Sequence, residues 1–278
     1  MRALRFIIAV ASLAALGACG SDGTTAITTT ATNIAFTRFV NAVADSGAQD
    51  WRFIDVIENS PTTFGLAFRG TFPGAGYQAT GAGSRHLRLF QTSTDILQTQ
   101  KVLFDTTFTF TAGTHYTLIA AGNLRPGAAN PAKLYILTDD FTDPGASVAL
   151  RVVNAGAATS VDVYGSTTGG TTALPASPLA GGVAAFSASK YLTMSPGALD
   201  LRVFSSGSTT FPAMIDAVAP AGLAADRVNN LTAVGGSTQA GSVFTAFLFP
   251  RSVAGSAAAN FTTPGVVYMV DKQPPSGF

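Results

Sequence analysis

Arg38-Phe39-Val40-Asn41-Ala42 recurs as Arg151-Val152-Val153-Asn154-Ala155, at an offset of 113 residues. Tyr77, Gly83 and Leu87-Arg88-Leu89-Phe90 recur as Tyr191, Gly197 and Leu201-Arg202-Val203-Phe204, at an offset of 114. Near-constant spacing over so long a stretch marks a duplicated unit, and self-similarity is read before any single element. Later segments correspond more loosely: 116–122 faces 231–235, and 133–137 faces 244–248. Repeat one is placed at 34–143 and repeat two at 146–250.

Within each repeat, apolar residues alternate over five to eight positions and stop at Gly, Pro, Asn or Asp, the pattern of strands. In repeat two this predicts strands near 147–154, 160–164, 182–187, 190–195, 199–205, 213–219, 229–235 and 242–249. Met194-Ser195-Pro196-Gly197 is a turn with a mechanism. Proline presets φ at the first central position, and glycine accepts the positive φ of a type II turn. Short strands with turn signals every 8–12 residues predict an all-β chain of two tandem antiparallel, immunoglobulin-like β-sandwich domains. Residues 251–278 form an extension with one further strand, Gly265 to Asp271, expected to add to a sheet edge. Pro274 and Pro275 argue against an outer-membrane barrel's closing strand ending at Phe278.

Composition narrows the function classes. Only 11% of the 278 residues are charged, against about 25% in an average soluble chain, and the formal net charge is +1. No basic surface of the kind that neutralises many phosphates is on offer, so nucleic acid is not expected as a partner. Two histidines and one cysteine exclude disulfide frameworks, thiol redox pairs and multi-ligand zinc sites. G-x-S-x-G, H-E-x-x-H, P-loop and G-x-G-x-x-G motifs are absent. The Gly-rich run 165–172 lacks the lysine and the helix that cradle phosphate. No catalytic residue and no cofactor are predicted, and the chain is expected not to be an enzyme. Asp162 and Glu58 are the lone carboxylates that a catalytic reading would have to use.

The N-terminus reads as an address. Arg2 and Arg5 precede an uncharged run, Phe6 to Leu16, which spans roughly 16 Å as a helix and so only half of a bilayer core. Leu16-Gly17-Ala18-Cys19 resembles the lipobox of bacterial lipoproteins, with Leu16, Gly17 and Ala18 recognised by the signal peptidase and Cys19 lipidated. That resemblance implies a signal peptide over 1–18, a membrane partner reached through acyl chains, and, with Gly20 after the cysteine, the outer membrane. Two or three chains anchor stably where one is marginal. Residues 19–33, rich in Thr, read as a flexible tether.

Arg151 to Ala155, Val161-Asp162-Val163-Tyr164 and the segment from Tyr191 to Val203 resemble the exported bacterial domain of unknown function 4397 (DUF 4397), often found in tandem in lipoproteins. The resemblance implies a β-sandwich and carries no activity. In that family the first strand ends in a Ser-Pro-Asp-Ala-Pro-like turn, where this chain has Gly156-Ala157-Ala158-Thr159.

Duplication supplies its own control: residues held in both copies serve the fold, and residues of one copy are the functional candidates. Arg38/Arg151 and Arg88/Arg202 are therefore read as structural, pairing with acids such as Asp162 or Asp200, with a duplicated anion- or sugar-binding face as the alternative. Trp51, His86 and His115 occur in repeat one only. Trp51 suits either a core plug or a sugar platform. The two histidines alone make a poor metal site. Asp139, Asp140 and Asp143, at the junction, could supply oxygen ligands to a calcium ion that stiffens a hinge. The expectation is a non-enzymatic cell-envelope lipoprotein, acting as a structural, adhesion or scaffold module, with envelope proteins or glycans as partners. The alternative is a lipoprotein that binds glycan or polysaccharide, using Trp51 and exposed tyrosines.

Overall fold

A computed structural model describes residues 33–56, 62–166 and 173–276. Repeat one supplies β1 (Ile34–Val43), β2 (Gln49–Phe53), β3 (Thr63–Leu66), β4 (Thr71–Phe72), β5 (Gln78–Gly81), β6 (Gly83–Gln91), β7 (Val102–Phe110), β8 (His115–Gly122) and β9 (Lys133–Thr138), with one helical turn, α1 (Ile96–Thr99). Repeat two supplies β10 (Val148–Asn154), β11 (Ser160–Ser166), β12 (Ala180–Ala184), β13 (Ser187–Ala188), β14 (Leu192–Met194), β15 (Asp200–Ser205), β16 (Ile215–Val218), β17 (Val243–Phe249) and β18 (Gly265–Lys272).

Each repeat is a two-sheet sandwich, and the second copies the first strand for strand. In repeat one the sheet β4-β1-β8-β9, with β5 also on β1, faces β3-β2-β6-β7. In repeat two β13-β10-β17-β18, with β14 also on β10, faces β12-β11-β15-β16. The sheets are not purely antiparallel. β1 runs parallel to β8, pairing Phe36 with His115 through Val43 with Gly122, and β10 runs parallel to β17. A parallel pair needs a long crossover, and here the whole opposite sheet of each sandwich supplies it. Among the described residues no helix is long and apolar enough to cross a membrane.

Two features of the sequence reading are corrected. Because Arg38 pairs with Thr117 in the parallel ladder and Arg151 pairs with Thr245, the counterpart of β8 is β17. The segment 231–235 is therefore not its counterpart, and 229–235 makes only isolated bridges, Leu223 to Val234 and Asp226 to Leu231. What displaced the alignment is an insertion. Repeat one turns from β7 to β8 over 111–114, whereas repeat two spends 219–242 on the same connection. Likewise β9 corresponds to β18, not to 244–248, since each is the antiparallel neighbour of the parallel strand. The strand predicted in the C-terminal extension is thus the ninth strand of repeat two, whose boundary moves from 250 to 272.

The four sheets stack in four layers. Phe39, Trp51, Leu87, Leu89 and Leu118 fill the first sandwich; Val152, Val163, Leu201, Val203 and Leu248 fill the second. A third cluster, Val40, Ile119, Val153, Phe247, Phe249 and Met269, lies between the repeats. Period-two alternation explains the split: on β1, Phe39 and Val43 face the sandwich interior, while Arg38, Val40 and Ala42 face the other repeat. β10 is buried at every position and β1 at nearly all, so their polar members Arg38, Asn41, Arg151 and Asn154 are buried along with the apolar ones. Ile34–Phe278 consequently forms one compact unit, with no hinge between two independent domains.

Candidate functional site

At the seam, the duplicated arginines meet acids that the sequence reading did not assign to them. Arg38, fully buried, donates from Nε to Thr117 Oγ1 at 2.7 Å and from Nη1 to Asp271 Oδ1, and its Nη2 lies 3.4 Å from Asp139 Oδ2. Arg151 Nη2 lies 2.7 Å from Asp139 Oδ1, off the hydrogen-bonding direction. Each arginine thus reaches the acid of the other repeat. Tyr77 donates to Asp139 and Tyr191 to Asp271, both at 2.7 Å. Each ring also lies under an arginine, Tyr77 under Arg38 and Tyr191 under Arg151, both at 4.7 Å. Thr117 and Thr245 donate to Asp139 and Asp271. The result is a two-fold-like cluster of two cations and two anions with no net charge.

The cluster is buried, although Arg151 and Tyr191 also line a second cleft of about 400 Å³. Burial pushes the Tyr77 and Tyr191 phenols far above their ordinary value, with the neighbouring carboxylates raising them further. Burial alone would lower Arg38, but Asp271, Tyr77 and Asp139 together hold it above its ordinary value. The two phenols and Arg38 neither give nor take a proton near neutrality. Their role is to fix one repeat against the other, because a mispaired register would bury an uncompensated charge.

Arg88 and Arg202 also have their acids one strand away. Arg88 Nε is 2.7 Å from Asp105 and Arg202 Nε is 3.7 Å from Asp216, each pair directly opposed in the ladder. Asp162 is therefore not an arginine partner: it accepts from the Gly182 and Gly207 amides and the Ser206 hydroxyl. Those amide bonds, from Gly207 first, hold its carboxyl below the usual range. Asp200 is buried and pairs with neither Arg38 nor Arg151.

The copy-specific residues disperse. Trp51 is fully buried against Phe39, ring centroids 5.1 Å apart, so it is a core residue and no platform for a sugar. His86 contacts Asp105 on the outer sheet, while His115 stacks on Phe36 at 4.6 Å in the other sheet. Burial lowers the His115 pKa, with Asp139 opposing. Nor do the junction carboxylates converge: Asp139 is spent on the seam, Asp140 is exposed, and Asp143 accepts from the Gly145 amide and pairs with Lys272 at 3.1 Å. Among the described residues no three His, Cys, Asp or Glu side chains could hold a metal ion. Leu16, Gly17, Ala18, Cys19 and Glu58 lie outside the described residues.

An open site does exist, and the sequence reading missed it. Beyond the ends of β1, β8, β10 and β17, the loop 123–132 of repeat one faces its counterpart 250–264 of repeat two across a cleft of about 470 Å³. The second loop is pinned by Val253 N to Ala44 O at 2.8 Å and by Arg69 Nη2 to Pro250 O at 2.6 Å. Asn123, Asn130, Asn260, Arg251, Phe186 and Phe261 line it. Asn123 Oδ1 is shielded in the wall without a partner. Phe186 holds φ at 60°, a left-handed conformation uncommon for a bulky residue and frequent at functional sites. Its ring closes over Gly156, where a Cβ would stand 3.3 Å from Cε1. Segments scattered from Ala44 to Thr262 build the cleft, so no contiguous motif announces it.

Fold and seam together define an all-β protein, two β-sandwich repeats fused through a buried charge cluster. Residues 35–164 match the model of a family described as Domain of unknown function (DUF4397). The match covers repeat one and continues through β10 into β11. None of the curated proteins compared with the chain matches it.

Proposed function

We propose that this protein is a non-enzymatic cell-envelope lipoprotein, held at the outer membrane through Cys19, whose rigid two-repeat body serves as a scaffold or adhesion module. One observation carries the reading: the charged side chains common to both copies are spent on the body itself. Arg38 and Arg151 pair across the seam, and Arg88 and Arg202 pair along the ladders. Duplicated side chains committed in this way support mechanical integrity in place of turnover. The anchor rests on the lipobox-like Leu16-Gly17-Ala18-Cys19. Its test is metabolic labelling with a palmitate analogue: wild-type protein takes label and sediments with outer membranes, and Cys19→Ser abolishes both. Label incorporated equally by Cys19→Ser, or by neither form, contradicts the anchor.

A second reading, binding of an envelope glycan or secreted polysaccharide, is favoured by the seam cleft. Its amides and aromatic rings are the side-chain types that suit sugar hydroxyls and apolar C–H faces. In this reading the contact residues shift from Trp51 to the loops around Asn130 and Asn260. Binding of soluble oligosaccharides to the full chain tests it.

A further inference from the structure

The charge around the seam cleft is one-sided. Arg251 lines it; Lys133 Nζ sits 4.3 Å over the Phe186 ring, and the Arg69 guanidinium sits 4.2 Å over Phe261. None of the three has an ion-pair partner among the described residues, and the cleft wall contains no Asp or Glu. Asp45, beside Ala44 at the rim, already accepts from the Leu124 and Arg125 amides at 2.8 and 2.9 Å. Elsewhere Arg38, Arg52, Arg85, Arg88, Arg151, Arg202 and Lys272 each pair with a carboxylate, while Lys101, Arg125 and Lys190 likewise have no ion pair among the described residues; what marks the cleft is that its cations gather at one concave place. In a chain with so few charges, cations left without acids at one concave place form a local positive field.

Amides complete the chemistry. Asn130 and Asn260 are exposed on the two facing loops, and each amide offers two donors and a carbonyl acceptor. Cations suit carboxylates, and amides suit hydroxyls that both donate and accept. We infer that the seam cleft binds an acidic glycan, a polymer of sugars bearing carboxylates, with Arg251 and Lys133 facing the carboxylates and Asn130 and Asn260 engaging ring hydroxyls. The inference rests on the glycan-binding reading and names its ligand class. Repeating carboxylates along a polymer offer one ligand several engagements, so modest single contacts accumulate.

The test is affinity electrophoresis and calorimetry of the full chain in detergent, with polygalacturonate, neutral dextran and polyphosphate as probes. Polygalacturonate is expected to bind, more weakly as salt rises. The double variant Lys133→Gln with Arg251→Gln is expected to lose about tenfold in affinity, and Asn130→Ala with Asn260→Ala to lose polygalacturonate binding by a similar factor. All four side chains are exposed, so thermal melting of the variants should match wild type. Dextran bound as tightly as polygalacturonate overturns the acidic class and leaves the glycan reading standing. Polyphosphate bound as tightly, with the asparagine variant unaffected, shows a polyanion site and overturns the sugar assignment. Binding of none of the three overturns both the inference and the glycan reading.

Discussion

Arg38 and Asp271 are separated by 233 positions, yet their contact holds the two repeats together. Removing one partner strands a buried charge, which typically costs about 3–5 kcal/mol, whereas replacing both with apolar side chains of similar volume is far less damaging. Asp271→Ala should therefore destabilise strongly in urea unfolding, and Arg38→Met combined with Asp271→Leu should be more stable than that single variant. Trp51 tests the core assignment: Trp51→Ala should cost about 3–5 kcal/mol. A surface platform would lose almost nothing. At His115, burial lowers the pKa from its ordinary 6.5, so the unfolded chain binds more protons across that window. Stability should be complete above pH 6.5 and decline as pH falls below it, and His115→Phe should flatten that limb of the pH profile.

The arginines were legible in the sequence and their partners were not. Asp139 ends Tyr135-Ile136-Leu137-Thr138-Asp139 and Asp271 ends Val267-Tyr268-Met269-Val270-Asp271, a correspondence at an offset of 132. A search confined to offsets near 113 passes over it. Once the offset is free to grow after the insertion, Thr117/Thr245 and Asp139/Asp271 fall into line with Arg38/Arg151.

Among the elements, the strands of the first half of each repeat were readable because alternation and turn residues survive in both copies. The second half was harder, because the 219–242 connection carries enough apolar residues to imitate strands while exposing them: Leu223 and Leu231 are 67% and 57% exposed. A local packing contact fixes the base of this connection. A Cβ on Gly236 would lie 2.3 Å from Gly222 N and 2.6 Å from Ala221 O, both backbone. Gly236→Ala should consequently destabilise by about 1–3 kcal/mol. Gly74→Ala, with open space at that position, should change unfolding by less than about 0.5 kcal/mol. Coverage of β1 and β10 on both faces was not legible, because Arg38, Asn41, Arg151 and Asn154 interrupt their apolar residues and imitate a solvent-facing side.

For the whole molecule, two sandwiches share a third core and a four-member charge cluster. Separated, each repeat would expose Val40 and Ile119, or Val153 and Phe247, and would leave Arg38 or Arg151 without the acid of its neighbour. Tandem beads on a string would melt one by one; a fused body melts as a unit. The most direct measurement is differential scanning calorimetry of the full chain and of Asp271→Ala. A single transition is predicted, with calorimetric and van't Hoff enthalpies equal, shifted as a whole to lower temperature by the substitution. Two separable transitions, or a substitution that moves only one of them, would contradict the fused-body account.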